Sequence, residues 1–101
     1  MTIRRHTILV AALAAGTALA GTAVRAEDPI KIGFLSTFSG PGGQLGQELL
    51  DGFTLALDKT GNKLGGRAVE VIQGDDQAKP DVGRQVADKM IERDKVQILT
   101  G

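Results

Sequence analysis

The spacing of apolar residues changes repeatedly along the chain, and each change marks an element. Ile30-Lys31-Ile32-Gly33-Phe34-Leu35 alternates and then runs apolar, the pattern of a strand entering a buried parallel sheet. Ser36 to Gly43, which contains Ser39-Gly40-Pro41-Gly42-Gly43, breaks both helical and extended periodicity and is predicted to be a loop. From Gln44 the apolar positions become Leu45, Leu49, Phe53, Ala56 and Leu57, one face of a helix, with Gln47, Glu48, Asp51, Asp58 and Lys59 on the other. Gly61-Asn62 and Gly65-Gly66 close that helix and turn the chain into a second strand, Ala68 to Gln73. Asp75 and Asp76 mark the next loop, and Pro80 fits the first turn of a second helix, where its missing N–H costs little. Val82, Val86, Met90 and Ile91 form the stripe of that helix, Arg93-Asp94-Lys95 ends it, and Val96 to Thr100 reads as a third strand.

Strands joined by amphipathic helices imply right-handed parallel crossovers, so the expected class is α/β with a Rossmann-like open parallel sheet in the order β-α-β-α-β. Three strands do not complete such a sheet. Both helices are expected on one face unless the sheet extends, which leaves the apolar third strand without cover on its far side. The chain therefore reads as the beginning of a longer protein. A complete small flavodoxin-like domain is the alternative and would need about two more strands.

Upstream of the first strand the pattern is different. Arg4 and Arg5 precede an uncharged run from Ile8 to Ala20, which is the charge step and short apolar core of a secretory signal peptide. The run falls short of the roughly 20 residues that a bilayer crossing requires. Small-residue cleavage sites end at Ala20 and at Ala26, and the second is preferred because Glu27-Asp28-Pro29 follows it, giving a leader over 1–26 and a mature segment over 27–101. Ile3 before the arginine pair and His6-Thr7 after it fit twin-arginine export poorly, which favours the general secretory route. The compartment implied is the periplasm, and the mature segment is not expected to span the membrane. The chain has no Cys, consistent with an oxidising space and excluding thiolate metal sites and thiol catalysis. The whole sequence is formally neutral, but nine basic residues face twelve acidic ones from Glu27 onward, a net charge of −3. Nucleic-acid binding would need the opposite sign.

Chemistry is expected at the first loop. Ligands of parallel α/β sheets gather at the carboxyl ends of strands, where helix N-termini present free N–H groups. Ser36, Thr37 and Ser39 supply hydroxyls there, and the glycines let the backbone come close to a bound group. No Lys or Arg stands between Phe34 and Asp58, so a carboxylate is better served than a phosphate. The plain alternative is that the glycines only make a tight turn.

Lys31-Ile32-Gly33-Phe34-Leu35, Ser39-Gly40-Pro41, Leu45-Gly46 and Asp51-Gly52-Phe53 follow one another in an order that resembles the start of the periplasmic substrate-binding proteins of ABC transporters, in the branched-chain amino acid (leucine/isoleucine/valine-binding) family. The likeness continues through Leu64-Gly65-Gly66-Arg67, Asp75-Asp76, Pro80 and the strand from Val96 to Gly101, and so covers about residues 28 to 101. It implies the N-terminal part of a two-lobed protein that closes on a small molecule and delivers it to a membrane permease, with no cofactor and no enzymatic reaction. Ser39, Gly40 and Gly42 would then line the first lobe's wall of the cleft. Leu45 takes a position whose side chain packs on the ligand in that family, where a Trp can stand. The ligand implied is a branched-chain or other hydrophobic amino acid, with amides and aromatic carboxylates as alternatives within the family.

Other readings are less well served by the residues. Gly40-x-Gly42-x-x-x-Gly46 after a strand resembles a dinucleotide loop, but its third glycine falls one place late and Pro41 stiffens the turn. Asp75, Asp76 and Asp81 could coordinate a hard cation, but three acids in a loop before a helix more often cap its N-terminus and stay solvated. His6 is the only His and leaves with the leader, which removes His-based catalysis and metal binding from the mature segment. A repressor lobe of the same fold would begin with a helix-turn-helix in place of an export signal.

Overall fold

The computed structural model describes residues 27–101 together with Gly16. The rest of the predicted leader and both cleavage points lie outside the described residues. The elements are β1 (Ile30–Ser36), α1 (Gly43–Lys59), β2 (Lys63–Leu64), β3 (Arg67–Asp75), α2 (Pro80–Glu92) and β4 (Ile98–Thr100), with one turn of 3-10 helix over Gly40–Gly42 ahead of α1. The sheet runs β2-β3-β1-β4, with β1 parallel to β3 and β4, and β2 antiparallel to β3. The α/β class and the open parallel sheet are as the sequence predicts. Two strands differ. β2 pairs through Gly65 and Gly66, whose φ values of +56° and +80° make the tight hairpin turn that left-handed glycines allow, and two residues are too few to show a period. β4 begins only at Ile98, because Lys95 is left-handed and Val96 N–H still donates to Met90 O at the end of α2.

The register of β1 on β3 places Ile30, Ile32 and Phe34 beside Val69, Val71 and Gln73 on one face, and Gly33 and Leu35 beside Ile72 and Gly74 on the other. α1 covers the first face: Ile32, Leu57 and Val69 are buried together, edged by Ile30, Phe53, Leu64 and Val71. Each such aliphatic side chain contributes about 1.5–3 kcal/mol when fully buried. α2 covers the second, where Met90 is only 1 % exposed. Met90 fits because two strand glycines make room for it: a methyl group at Gly33 would lie 2.9 Å from its Sδ, and one at Gly74 would lie 2.5 Å from its Cε and 2.6 Å from Val86 Cγ1. The two helices therefore lie on opposite faces, not on one as expected. The reason is strand order: β3 flanks β1 on one side and β4 on the other, so the two right-handed crossovers run in opposite directions.

The phase of α1 also differs from its predicted stripe. Gly46, Leu50, Phe53 and Leu57 turn inward, whereas Leu45 is 63 % and Leu49 50 % exposed, and Ala56 is exposed as well. Steric fit decides the rotation. A Cβ on Gly43 would come 2.8 Å from the Phe38 carbonyl oxygen, and one on Gly46 would overlap the Thr37 carbonyl, so only glycines can sit where α1 meets the loop before it. In α2 the predicted positions Val82, Val86 and Met90 do face the sheet, while Ile91 lies exposed.

This phase makes a prediction. Phe53→Ala should lower the unfolding free energy by about 3 kcal/mol, whereas Leu49→Ala should change it by no more than about 0.5 kcal/mol. Urea unfolding of the two variants checks the rotation, and equal losses would contradict it.

Candidate functional site

β1 and β3 end at the same level, with Ser36 opposite Asp75, so the loops that leave them lie side by side. Asp75 Oδ1 accepts a hydrogen bond from Phe38 N–H at 2.9 Å and from Gln77 N–H at 2.8 Å. Asp76 Oδ1 accepts from Thr37 Oγ1 at 2.6 Å and from Ala78 N–H at 2.8 Å, and Asp76 N–H donates to Ser36 O at 3.0 Å. The two acids thus bind protein donors. Neither caps α2, whose N-cap residue is Lys79. Among the described residues no group of three or more His, Cys, Asp or Glu side chains is placed to hold a metal ion.

The same contacts fix the charge of Asp75. Its carboxyl is held below the ordinary value of 3.8, chiefly by Phe38 N–H, with the Ser39 hydroxyl, Gln77 N–H and Ser39 N–H adding to the effect and partial desolvation opposing it. Below the loop, all three aromatic residues of the chain meet: the rings of Phe34 and Phe38 are 6.2 Å apart and those of Phe34 and Phe53 5.2 Å apart, both tilted. Phe38 is the apolar foot of the loop and Asp75 its polar clamp.

Above these anchors stand the residues singled out from the sequence. Ser39, Gly40, Gly42 and Leu45 are all exposed, on one continuous stretch from the loop through the 3-10 turn into the first turn of α1. Gly40 has φ +70° with open space around it, so its backbone conformation is what requires glycine. Gly42 is the N-cap of α1, no side chain caps that end, and no acid lies in the first turn. The helix N-terminus therefore keeps its partial positive charge. Gln44 and Gln47 do not turn back to cap it: they donate along the outer face to Glu48 at 3.0 Å and Asp51 at 2.8 Å. Sequence reasoning did not find the closest packing positions, Gly43 and Gly46, nor the clamp made by Asp75 and Asp76. The signal for the glycines was their three-residue spacing in the first turn of an amphipathic helix.

Among the described residues the loop presents an open, exposed wall. Shallow hollows lie elsewhere, one lined by Asp28, Pro29, Lys31, Lys95 and Gln97 at the amino end of β1, the other by Gln85, Asp88, Lys89, Glu92 and Arg93 on α2. The first is at the opposite end of the strand from the loop, and the second is the solvated side of a helix. No described helix is long and apolar enough to cross a membrane.

Comparison with known proteins bears on the fold and the family. The family model described as periplasmic binding protein matches residues 29–101. The chain belongs to that family. A curated relative, Leu/Ile/Val-binding protein homolog 6 of Brucella abortus (strain 2308), is 35% identical over 75 residues, which are 73% of this chain and 19% of the relative. An ABC transporter substrate-binding protein from Sphaerobacter thermophilus is 44% identical with a TM-score of 0.68, over 71% of this chain and 19% of that one. The solute binding protein of an ABC transporter from R. palustris, in complex with benzoate, is 31% identical with a TM-score of 0.70, over 73% of this chain and 21% of that one. The chain thus spans about one fifth of the length of these periplasmic binding proteins. The family is one of transport substrate-binding proteins with an extracytoplasmic location, and the sheet observed is part of its type I fold.

The clamp carries a signed pH dependence. Because the folded state holds the Asp75 carboxyl below its ordinary value, its contribution to stability is complete above that value of 3.8 and is lost as pH falls through the range beneath it. Asp75→Asn removes that titration. Its stability should fall less steeply than that of the parent as the solution is acidified, and parallel acid limbs in urea unfolding would contradict the clamp.

Proposed function

We propose that this chain is the N-terminal part of an extracytoplasmic solute-binding protein that captures a small solute and delivers it to the permease of an ABC importer. The observation that carries the reading is the exposed wall from Ser39 to Leu45, anchored through Phe38 and Asp75, free of cations, and set at the carboxyl ends of the parallel strands. Such a wall offers main-chain N–H groups at the start of α1, one apolar side chain, and a Ser39 hydroxyl that leans on Asp75 and keeps lone pairs to accept from a solute N–H, which suits a small solute with a carboxylate and an apolar body. Ser39, Gly40, Gly42 and Leu45 are the residues proposed to border it, with no cofactor, no metal and no catalytic group. The remainder of the leader reading follows: the segment over 1–26 directs export to the periplasm and is removed.

A branched-chain or other hydrophobic amino acid is the first choice of solute, in line with the name of the Brucella relative. An aromatic carboxylate is the second reading, favoured by the benzoate in the R. palustris relative and by Leu45, which leaves room beside the wall for a flat ring. Binding without turnover is proposed for either solute.

Thermal unfolding of the whole two-lobed protein of which this chain is proposed to be the N-terminal part, with leucine, benzoate and NAD each tested alone, separates these readings. A true solute at a hundred times its dissociation constant should add about 2.7 kcal/mol of stability, and NAD should add none. Ser39→Ala should weaken binding several-fold, the loss of one hydrogen bond of about 1 kcal/mol. A shift with NAD alone would replace the transport reading with a dinucleotide one.

A further inference from the structure

Two acids at the end of β3 tie the loop that forms the wall to their own loop, and the solute-binding reading gives them no task. One oxygen of each does double duty. Asp75 Oδ1 joins Phe38 N–H, from the loop after β1, to Gln77 N–H, from the loop after β3. Asp76 Oδ1 joins Thr37 Oγ1 to Ala78 N–H in the same way. Gln77 and Ala78 are consecutive and both left-handed, with φ +56° each. Neither is a glycine, and two such residues in a row persist only where their surroundings over-determine them. The carboxylates are those surroundings, assisted by Lys79 N–H donating to Asp76 O at 2.9 Å. The strained turn and the wall therefore share their anchors, so that releasing one loosens the other.

We propose that Asp75 and Asp76 are positioning residues for solute binding: through Phe38 and Thr37 they hold the wall in its receiving shape without touching the solute. The inference rests on the reading of Ser39 to Leu45 as a cleft wall. A wall ordered before the solute arrives spares the cost of ordering it on binding. The length of the loop makes this matter, because Thr37, Phe38 and Ser39 belong to neither β1 nor the 3-10 turn and so have no strand ladder to hold their backbone.

The test uses the intact ligand-free protein first. In Asp75→Ala the amides of Phe38 and Gln77 should exchange with solvent faster, and in Asp76→Ala that of Ala78, while sheet amides such as Val71 keep their rates. Calorimetric titration with leucine and with benzoate should then show about ten-fold weaker binding of whichever solute the parent takes up. Asp75→Asn, which keeps the accepting oxygen, should restore most of that affinity. Ala78→Gly, which lifts the strain, should do little alone and recover part of the loss in Asp76→Ala. A purely structural role would lower the melting temperature and leave the affinity of the folded variants untouched. Parent-like affinity in folded alanine variants, or unchanged exchange at Phe38 and Gln77, overturns the positioning role. If the exchange changes appear but the parent protein binds neither solute, the cleft reading fails and the positioning role falls with it.

Discussion

The parallel ladder that sets Ser36 opposite Asp75 is the constraint on which the rest of this region depends. It ends two neighbouring strands at one level, so the N–H and O–H donors of one loop face the carboxylates of the next. Alternation along the strands makes the arrangement strict: a one-residue slip would carry Gly33 and Gly74 off the α2 face, where Met90 needs their missing side chains, and would move Ile32 and Val69 off the α1 face. The apolar packing of both helices thus fixes the register, and the register places the clamp. Stability and site geometry share one cause here.

Glycine acts in two distinct ways along the wall. At Gly40 the backbone itself is left-handed, with nothing nearby to clash. At Gly43 and Gly46 the backbone is ordinary helix, and the absent side chain is what matters, because the loop's carbonyls at Thr37 and Phe38 occupy that space. The second use rotates α1 about its axis. Turning Gly46 inward brings Leu50, Phe53 and Leu57 onto the sheet and carries Leu45 out beside the wall. The exposure of Leu45 is therefore a consequence of how closely the helix approaches the loop.

Much of the fold was legible in the apolar spacing, because β1 is covered on both faces and reads as a near-continuous apolar run, β3 alternates around Val69 and Val71, and the Val82-Val86-Met90 stripe of α2 faces the sheet at regular helical spacing. The phase of α1 was not. Apolar residues at Leu45, Leu49, Leu50, Phe53, Leu55, Ala56 and Leu57 surround too much of the helix for period alone to choose a face, and the deciding residues are glycines that hydropathy scores as neutral. Strand order was equally hidden, since a crossover helix looks the same whichever side its strand returns to. The exposed stretch of the wall could be named from its Ser, Gly and Pro residues. Its support could not, because Asp75 and Asp76 stand more than thirty residues along the chain and only the register brings them to Thr37 and Phe38.

Magnitudes indicate how such a wall can work. An uncapped helix end contributes about 0.3–1 kcal/mol toward an anion, and one hydrogen bond from Ser39 about 1 kcal/mol. Micromolar binding takes about 8 kcal/mol. Covering Leu45 with an apolar body adds about 25 cal/mol for each Å² withdrawn from water, so even complete cover leaves a deficit of several kcal/mol. A wall of this composition selects against multiply charged anions, because it holds no cation and has an ionised Asp75 beneath it, but it cannot retain a solute alone. Tight capture requires a second surface that closes over the first. On this reasoning a rigid footing is worth more than any single contact, since closure onto a loose wall would lose to ordering much of what it gains in contact.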